Sequence, residues 1–354
     1  MQVAEALPLL ASRRPSELPV LSVYLDMRPE ATGGRPGYRE GETVLKDRLR
    51  EIEKTLLPRG PRLDSFRADA ARIERYLADE ADRAAEGIAI FACHGDGLFE
   101  VVEAGAPFEN QVTVGPLPDL FQLARMLDDH ETAVVGVADT NTLRLFVVRR
   151  GVLDERKGPD EDTHNFRKRS MGGWNQARYQ RHVQKHREDF AKEAAAALEE
   201  LVLKEGAVRV VLAGDEVAIP LLEAALSREV RERLTGDALR IHIRAPRDAI
   251  AEEALPVLEQ AEAEADMDLA SALVSQVQHG YLAVADEASV RQALERGQVD
   301  VLVLSSRTAP EDLRAEFTRM AVNTGASVQV VDGHEGLDNL GGIGALLRYQ
   351  LRRK

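Results

Sequence analysis

The segment AVVGVADTNTLRLFVVR, residues 133–149, holds two apolar runs separated by the polar tetrapeptide Asp139–Thr142. Each run is short and rich in β-branched residues, which predicts two strands, Ala133–Ala138 and Leu143–Arg149, joined by a turn. Two further elements are predicted downstream, a strand over Val208–Ala213 and a helix over Ala218–Leu226. Strands and helices that alternate in this way are typical of a mixed sheet flanked by helices.

A long helix is predicted between these strands, beginning after Gln176. Its apolar residues recur every three to seven positions and form one stripe, which is typical of a helix that packs on a core. The stripe consists of Tyr179, Val183, Phe190, Ala194, Leu198 and Leu201. The opposite face carries Arg178, Arg181, Lys185 and Arg187, which are left to face solvent or a phosphate backbone.

The length of 354 residues exceeds the size of a single hydrophobic core, so several domains are expected. We predict an α/β protein of three α/β domains: 1–127, 128–247 and 248–354. In the first, strands are predicted at Val20–Asp26, Gly87–Ala92 and Leu98–Val102, and helices at Thr43–Leu57, Ser65–Ala84 and Leu117–Asp128. A short strand is predicted at Ile241–Pro246 and an exposed acidic helix at Asp248–Asp268. The third segment is predicted to have strands Gly280–Val284, Val299–Leu304 and Ser327–Val331, with helices Glu287–Arg296 and Pro310–Asn323.

The composition indicates a globular chain, with 44% apolar and 30% charged residues. No apolar run approaches the roughly 18 to 20 residues of a membrane helix, and we expect no signal peptide. The single cysteine, Cys93, excludes an internal disulfide and any multi-cysteine zinc site. Since a chain of this kind fits a reducing compartment, we predict a cytoplasmic protein.

Positive charge is concentrated in one place. Residues 164–187 contain seven Lys or Arg and no acidic residue, whereas the whole chain has a net charge of −14, so the remainder carries −21. A uniformly acidic surface repels nucleic acid, which argues against non-specific coating. The distribution instead indicates that one local surface meets an anionic partner.

The same segment contains the strongest candidate for chemistry, RKRSMGGWNQARY, residues 167–179. Two adjacent glycines, Gly172 and Gly173, allow the backbone to approach a ligand closely. Gln176 places an uncharged amide beside helix N–H groups that have no helical partner, and such a site can hold a water and stabilise an oxyanion. The alternative interpretation is a basic loop that only caps the helix, and spacing alone leaves both open.

The order of these elements resembles the archaeo-eukaryotic peptide chain release factor superfamily, of which this would be a bacterial member. The resemblance runs through the two strands of residues 133–149, the Gly-Gly loop, the basic helix and Val210–Gly214. It continues through residues 279–304 and through Thr324–Ala326 and Gly341–Tyr349. Residues 130 to 354 are covered in order. The resemblance implies a release-factor-like middle domain, with a long helix after the Gly-Gly loop, and a Pelota/release-factor-like C-terminal domain.

Release factors of this superfamily use a contiguous Gly-Gly-Gln, whereas here Trp174 and Asn175 separate Gly173 from Gln176. The Gly-Gly-x-x-Gln spacing is similar to the branch of ankyrin and zinc-finger peptidyl-tRNA hydrolases, although neither an ankyrin repeat nor a zinc finger is visible. The stop-codon motif Asn-Ile-Lys-Ser is absent from the first 127 residues. The resemblance therefore implies rescue of stalled ribosomes rather than decoding of stop codons.

By this resemblance Gln176 would orient the attacking water at the peptidyl-tRNA ester, while Gly172 and Gly173 give the loop its freedom. RNA-binding residues would be Arg167, Lys168, Arg169, Trp174, Arg178, Arg181 and Lys185. The expected partners are the ribosome at its A site and peptidyl-transferase centre, peptidyl-tRNA and ribosomal RNA, together with a protein partner on the C-terminal domain. No membrane partner and no cofactor are expected.

Three functions compete. The first is ribosome-dependent hydrolysis of peptidyl-tRNA, with cleavage of the tRNA end as a variant. The second is a non-catalytic rescue or hibernation factor that occupies the A site. The third, a small-molecule hydrolase, lacks a nucleophile, because Gly-x-Ser-x-Gly is absent and Cys93-His94 falls in a hairpin turn. A metal site at His182 and His186 lacks a third ligand. The sequence favours the first.

Overall fold

The structure, a computed structural model, describes residues 3–28, 40–55, 60–82, 84–128, 132–149, 151–156 and 173–349. Helices and strands alternate along these ranges, and the strands form three sheets of four strands each. The predicted α/β class is confirmed. Each of the three predicted segments contributes one of these sheets, while the positions of the segment boundaries stay a prediction.

The first sheet is antiparallel throughout, with strand order β3-β2-β1-β4. Its elements are α1 (Val3–Ala11), β1 (Val20–Asp26), α2 (Glu40–Thr55), α3 (Pro61–Asp79), β2 (Gly87–Cys93), a 3₁₀ turn (His94–Asp96), β3 (Leu98–Ala104), β4 (Gln111–Gly115) and α4 (Phe121–Asp128). The pattern analysis missed α1 and β4. All five residues of β4 are half-buried, so this edge strand lacks the alternation by which a strand is recognised.

The second sheet, in the middle of the chain, has order β7-β6-β5-β8, in which β5 and β8 are parallel and the other pairs antiparallel. Its elements are β5 (Ala133–Ala138), β6 (Leu143–Arg149), β7 (Val152–Arg156), α5 (Gly173–Glu205), β8 (Arg209–Gly214), α6 (Ala218–Ala225) and α7 (Arg228–Arg231). One face packs on Phe190, Leu198 and Leu222 of α5 and α6. The other packs on Ile241, Ile250 and Leu258.

The third sheet has order β11-β10-β12-β9, in which β10 and β11 are parallel and the other pairs antiparallel. Its elements are α8 (Arg247–His279), β9 (Ala283–Ala285), α9 (Glu287–Glu295), β10 (Val299–Ser305), α10 (Glu311–Thr324), β11 (Ser327–Val331), α11 (Glu335–Asn339) and β12 (Ile343–Leu347).

The chain divides into two compact units, Met1–Asp129 with Asp266–Lys354, and His130–Ala265. In the first unit a single buried cluster joins the first and third sheets, and it includes Leu10, Phe121 and Phe317. The Asn323 side chain donates to the carbonyl of Ala11 at 2.9 Å. The sequence pattern had not indicated that these two segments share a core, because a contact between residues 312 positions apart leaves no periodic signal.

Two predicted elements near the second boundary are corrected. Residues 241–246 do not form a strand, and the isolated bridges to β8 fall earlier in the chain, at Leu234 and Leu239. The helix predicted to end at Asp268 continues to His279, because no helix-breaking residue follows Asp268 until Gly280, which takes a left-handed φ of 67°. The strand predicted at Gly280–Val284 is accordingly displaced to Ala283–Ala285.

Candidate functional site at the carboxyl edge of the middle sheet

The parallel strands β5 and β8 end at the same edge of the middle sheet, and an aspartate follows each of them. Asp139 follows β5, and its Oδ1 accepts hydrogen bonds from the backbone N–H groups of Asn141 (2.8 Å) and Thr142 (2.7 Å). The carboxylate thereby holds the turn between β5 and β6. Ligands of open α/β sheets bind outside the carboxyl ends of the strands, so this edge is where a site is expected.

The end of β8 lies very close to the end of β5. Gly214 has a φ of 148°, and a Cβ at this position would lie 1.9 Å from the carbonyl oxygen of Ala138. Only glycine fits there. The next residue, Asp215, accepts from the N–H groups of Val217 (2.8 Å) and Ala218 (2.6 Å) and so caps the start of α6.

A shallow cleft lies between α5 and α6 at this edge, with an enclosed space of about 10 Å³, enough for about one water molecule. Its lining is mostly apolar, with Phe190 and Leu222 among the larger side chains. The polar lining residues are Asp139, Thr140 and Arg187. Sequence patterns had not singled out Asp139 or Asp215, although an aspartate directly after a buried strand is the signal that could have found them.

Helix α5 extends well beyond the edge. Phe190 is its first buried residue among those whose side chains are described, and residues 183–189 are half-buried or exposed. At its other end, Glu205 forms an ion pair with Arg149 at the opposite edge of the sheet. Residues 173–187, here called the α5 arm, would span about 21 Å at 1.5 Å per residue. The part of the arm before Arg187 therefore projects past the sheet.

The apolar stripe predicted for this helix is confirmed where Phe190, Ala194, Leu198 and Leu201 are buried. Val183 is only half-buried, because it lies on the arm, beyond the sheet. The side chain of Tyr179 is outside the described residues.

The predicted site residues are placed unevenly. Arg167, Lys168, Arg169 and Gly172 lie outside the described residues. The backbone of the α5 arm includes five predicted site residues whose side chains are not described: Gly173, Trp174, Gln176, Arg178 and Arg181. Lys185 is exposed.

One expectation about this segment needs correction. Residues 173–176 were predicted to belong to a loop, but α5 begins at Gly173, so Gln176 lies in the first helical turn. Glycine is well tolerated where a helix begins, and no helix breaker follows it. The backbone N–H groups of this first turn have no partner within the helix, as the sequence argument requires.

The alternative sites gain little from the structure. Among the described residues, no group of three or more His, Cys, Asp or Glu could hold a metal ion. The Cys93 thiol is buried, 3.7 Å from Ser16 Oγ, whereas His94 is exposed in the 3₁₀ turn. A buried thiol is not placed to attack a substrate. No helix in the described ranges is long and apolar enough to cross a membrane.

Comparison with known families gives a match over residues 118–259 to the model of Bacterial archaeo-eukaryotic release factor family 10. This range includes the whole middle sheet and the α5 arm. Over this range the match supports the predicted resemblance to the archaeo-eukaryotic release factor superfamily. The match does not show that the chain belongs to the branch of ankyrin and zinc-finger peptidyl-tRNA hydrolases. The chain matches no curated protein.

Among solved structures, the chain is similar to an archaeal translation termination factor, aRF1, at 17% identity and a TM-score of 0.29, over 98% of this chain and 97% of that one. It is also similar to Dom34 of S. cerevisiae, at 13% identity and a TM-score of 0.45, over 77% and 84%. A model of ribosome-bound archaeal Pelota gives 13% identity and a TM-score of 0.47, over 99% and 95%.

Proposed function

We propose that this protein is a ribosome-associated peptidyl-tRNA hydrolase that frees nascent chains on stalled ribosomes. The observation that carries the proposal is the release-factor family match over residues 118–259, a range that contains the Gly-Gly-x-x-Gln sequence at the start of α5. The projection of the α5 arm past its sheet also supports it, because a narrow RNA-walled site is reached only by a slender protrusion.

In the proposed mechanism, Gln176 positions a water against the ester bond of peptidyl-tRNA. The ester is already activated, so catalysis requires placement of the water and stabilisation of the developing oxyanion. Gln176 belongs to the first turn of α5, where unpaired N–H groups and the helix dipole favour negative charge. Ribosomal RNA and the tRNA ribose would carry part of the proton transfer.

Binding would come from the basic residues around the arm, Arg167, Lys168, Arg169, Arg178, Arg181 and Lys185, which would contact RNA phosphates. Of these, Lys185 has an exposed side chain. Trp174 would stack on a base, an interaction worth roughly 1 to 3 kcal/mol. Since Asp139 and Asp215 are occupied in local turns, we assign them no chemical step. The cytoplasm is the compartment this function requires.

The test uses stalled ribosome–nascent-chain complexes and measures free peptide and intact tRNA. Gln176→Ala should lower the rate of peptide release by about 100-fold, the scale of losing one oxyanion or water-positioning group. Gln184→Ala is the matched control, an exposed glutamine on the same helix whose amide donates to Glu188 at 2.9 Å. Equal release by the parent and Gln176→Ala would remove Gln176 from the mechanism, and shortened tRNA would indicate cleavage of the tRNA end instead.

A second candidate is a non-catalytic factor that occupies the ribosomal A site. The helical conformation of residues 173–176 favours it, because a glutamine within a helical turn has less freedom than one in a Gly-Gly loop. Under this alternative the protein would co-sediment with ribosomes and release no peptide, and Gln176→Ala would change neither result.

A further inference from the structure

A second basic surface lies beyond the same carboxyl edge of the middle sheet. The sequence RIHIRAPR, residues 240–247, has three arginines and a histidine in eight positions and no acidic residue. Its apolar and charged residues alternate: Ile241 is buried in the core, whereas His242 and Arg244 are exposed. The segment follows Leu239, which is bridged to Ala213 near the end of β8. It therefore presents its charges past the edge.

The backbone of this segment is held in place by Arg144 of β6. One nitrogen of its guanidinium, Nη1, donates to the carbonyls of Ile243 (2.9 Å) and Ala245 (2.7 Å), and Nε donates to Glu155 (2.7 Å). The Nδ1 of His242 accepts from the N–H of Arg244 at 3.1 Å. A neutral His242 ring must then carry its proton on Nε2. The exposed side chains of His242 and Arg244 thus lie on a backbone that is held in place.

The nearby carboxylates do not neutralise the positive charge of this surface. Arg240 pairs with Glu216 at 2.8 Å and Arg247 with Asp248 at 3.7 Å, and all four of these side chains are more than half exposed. Exposed ion pairs of this kind contribute little to stability, so a phosphate can readily replace the carboxylate. Within the part of the chain that the structure describes, no carboxylate lies within ion-pair distance of Arg244.

We propose that His242, Arg244 and Arg247 bind phosphates of an RNA backbone, at the edge of the sheet from which the α5 arm projects. The inference rests on the proposed function, since it takes the RNA partner from there. The α5 arm and residues 240–247 belong to opposite faces of the middle sheet, and both reach past the carboxyl ends of β5 and β8. Together they would grip an RNA on either side of the site and fix the direction in which Gln176 enters it.

RNA is favoured over an acidic protein as the partner because of how the charges are distributed. Two separate segments, 164–187 and 240–247, are basic and contain no acidic residue, on a chain of net charge −14. RNA carries a phosphate at every nucleotide, so one strand can contact both basic segments at once. An acidic peptide would have to match the spacing between the two segments. Guanidinium groups also fit phosphate oxygens in a forked geometry.

The test measures the affinity of the full chain for fluorescein-labelled deacylated tRNA by anisotropy, between about 50 and 200 mM salt. Arg244→Gln should weaken binding by about three- to tenfold and reduce the slope of log K against log salt by about 1, the effect of one lost phosphate contact. Arg228→Gln is the matched control, an exposed arginine on α7 paired with Glu232. It should leave both quantities unchanged. Arg244→Lys should retain most of the affinity.

Equal affinity and slope for Arg244→Gln and Arg228→Gln would overturn the proposal. The proposal would also be overturned if Arg244→Gln lost binding to polyglutamate while keeping its affinity for tRNA, since the surface would then serve an acidic protein. Peptide release separates this result from the proposed function. A parent protein that releases no peptide but shows the predicted slope change refutes hydrolysis alone, whereas normal release with an unchanged slope refutes only the second RNA surface.

Discussion

The carboxyl edges of the middle and third sheets have the same local architecture but differ in how their polar groups are used. Each edge lies at the end of one parallel pair, β5 with β8 and β10 with β11. In the third sheet, the carboxylate of Asp338 accepts the hydroxyls of Ser305 (2.7 Å) and Thr308 (2.5 Å). Ser306, the residue after β10, donates to Asp332, the residue after β11.

In the middle sheet, within the part of the chain that the structure describes, Asp139 and Asp215 accept hydrogen bonds from backbone N–H groups of their own turns alone. A cleft remains open beside them, and the α5 arm projects past them. Side chains therefore bridge the third edge, whereas a small cleft stays open at the middle edge. This difference, rather than fold class, is what favours the middle sheet as the functional one.

The largest expected effect tests the close approach at the middle edge. Gly214→Ala should lower the free energy of unfolding of the middle unit by about 3 kcal/mol, because its Cβ would meet the Ala138 carbonyl at 1.9 Å and its φ of 148° disfavours a side chain. Urea denaturation, with hydrogen exchange of the β5 and β8 amides, measures the loss.

Gly206→Ala is the control for that substitution. Gly206 also has a positive φ, 64°, but no atom lies within 4 Å of its Cβ position, so only backbone strain of about 1 kcal/mol is expected. Equal losses in the two variants would show that the contact between β5 and β8 is not tight.

The closed edge offers a matched pair of adjacent glycines. At Gly342, with a φ of 73°, a Cβ would lie 2.6 Å from the Ala309 nitrogen, whereas at Gly341, with a φ of 87°, nothing lies within 4 Å. Gly342→Ala should cost about 2 kcal/mol and Gly341→Ala about 1 kcal/mol in urea denaturation. If Gly341→Ala were the more damaging, the third edge would not be closed by the approach of β12 to the β10–α10 loop.

Local patterns predicted much of this fold because the information is local. The apolar runs at residues 133–149 and 208–213 became β5, β6 and β8, and the stripe from Phe190 to Leu201 became the buried face of α5. Edge strands β4 and β7 were missed because neither is buried on one face in alternation: four of the five residues of β7 are exposed. The shared core of the first and third segments depends on distant contacts, which spacing does not encode.

The candidate site was predictable only in part. Basic charge before α5 and the position of Gln176 were visible in the sequence, but the helical start at Gly173 was not, because glycine is usually a sign of a loop. The frame that Arg144 builds for residues 243–245 was also invisible, since it joins residues about 100 positions apart. Side-chain bonds to backbone carbonyls follow from tertiary structure rather than from any motif.

The smallest effect concerns Asp338, whose hydrogen bonds close the third edge. The hydroxyls of Ser305 and Thr308 lower the pKa of this carboxyl from its ordinary value. A carboxyl with a lowered folded-state pKa stabilises the protein above the unfolded-state pKa of about 3.9, and this contribution is lost as pH falls through the folded-state pKa.

Asp338→Asn should therefore cost about 1 kcal/mol at neutral pH, since hydrogen bonds to a charged acceptor are weakened, and less in acid. Urea denaturation at a series of pH values measures the difference, with the exposed Asp96→Asn as control. A cost for Asp338→Asn that stays constant, or grows, as pH falls below 4 would show that the carboxylate charge does not hold this edge closed.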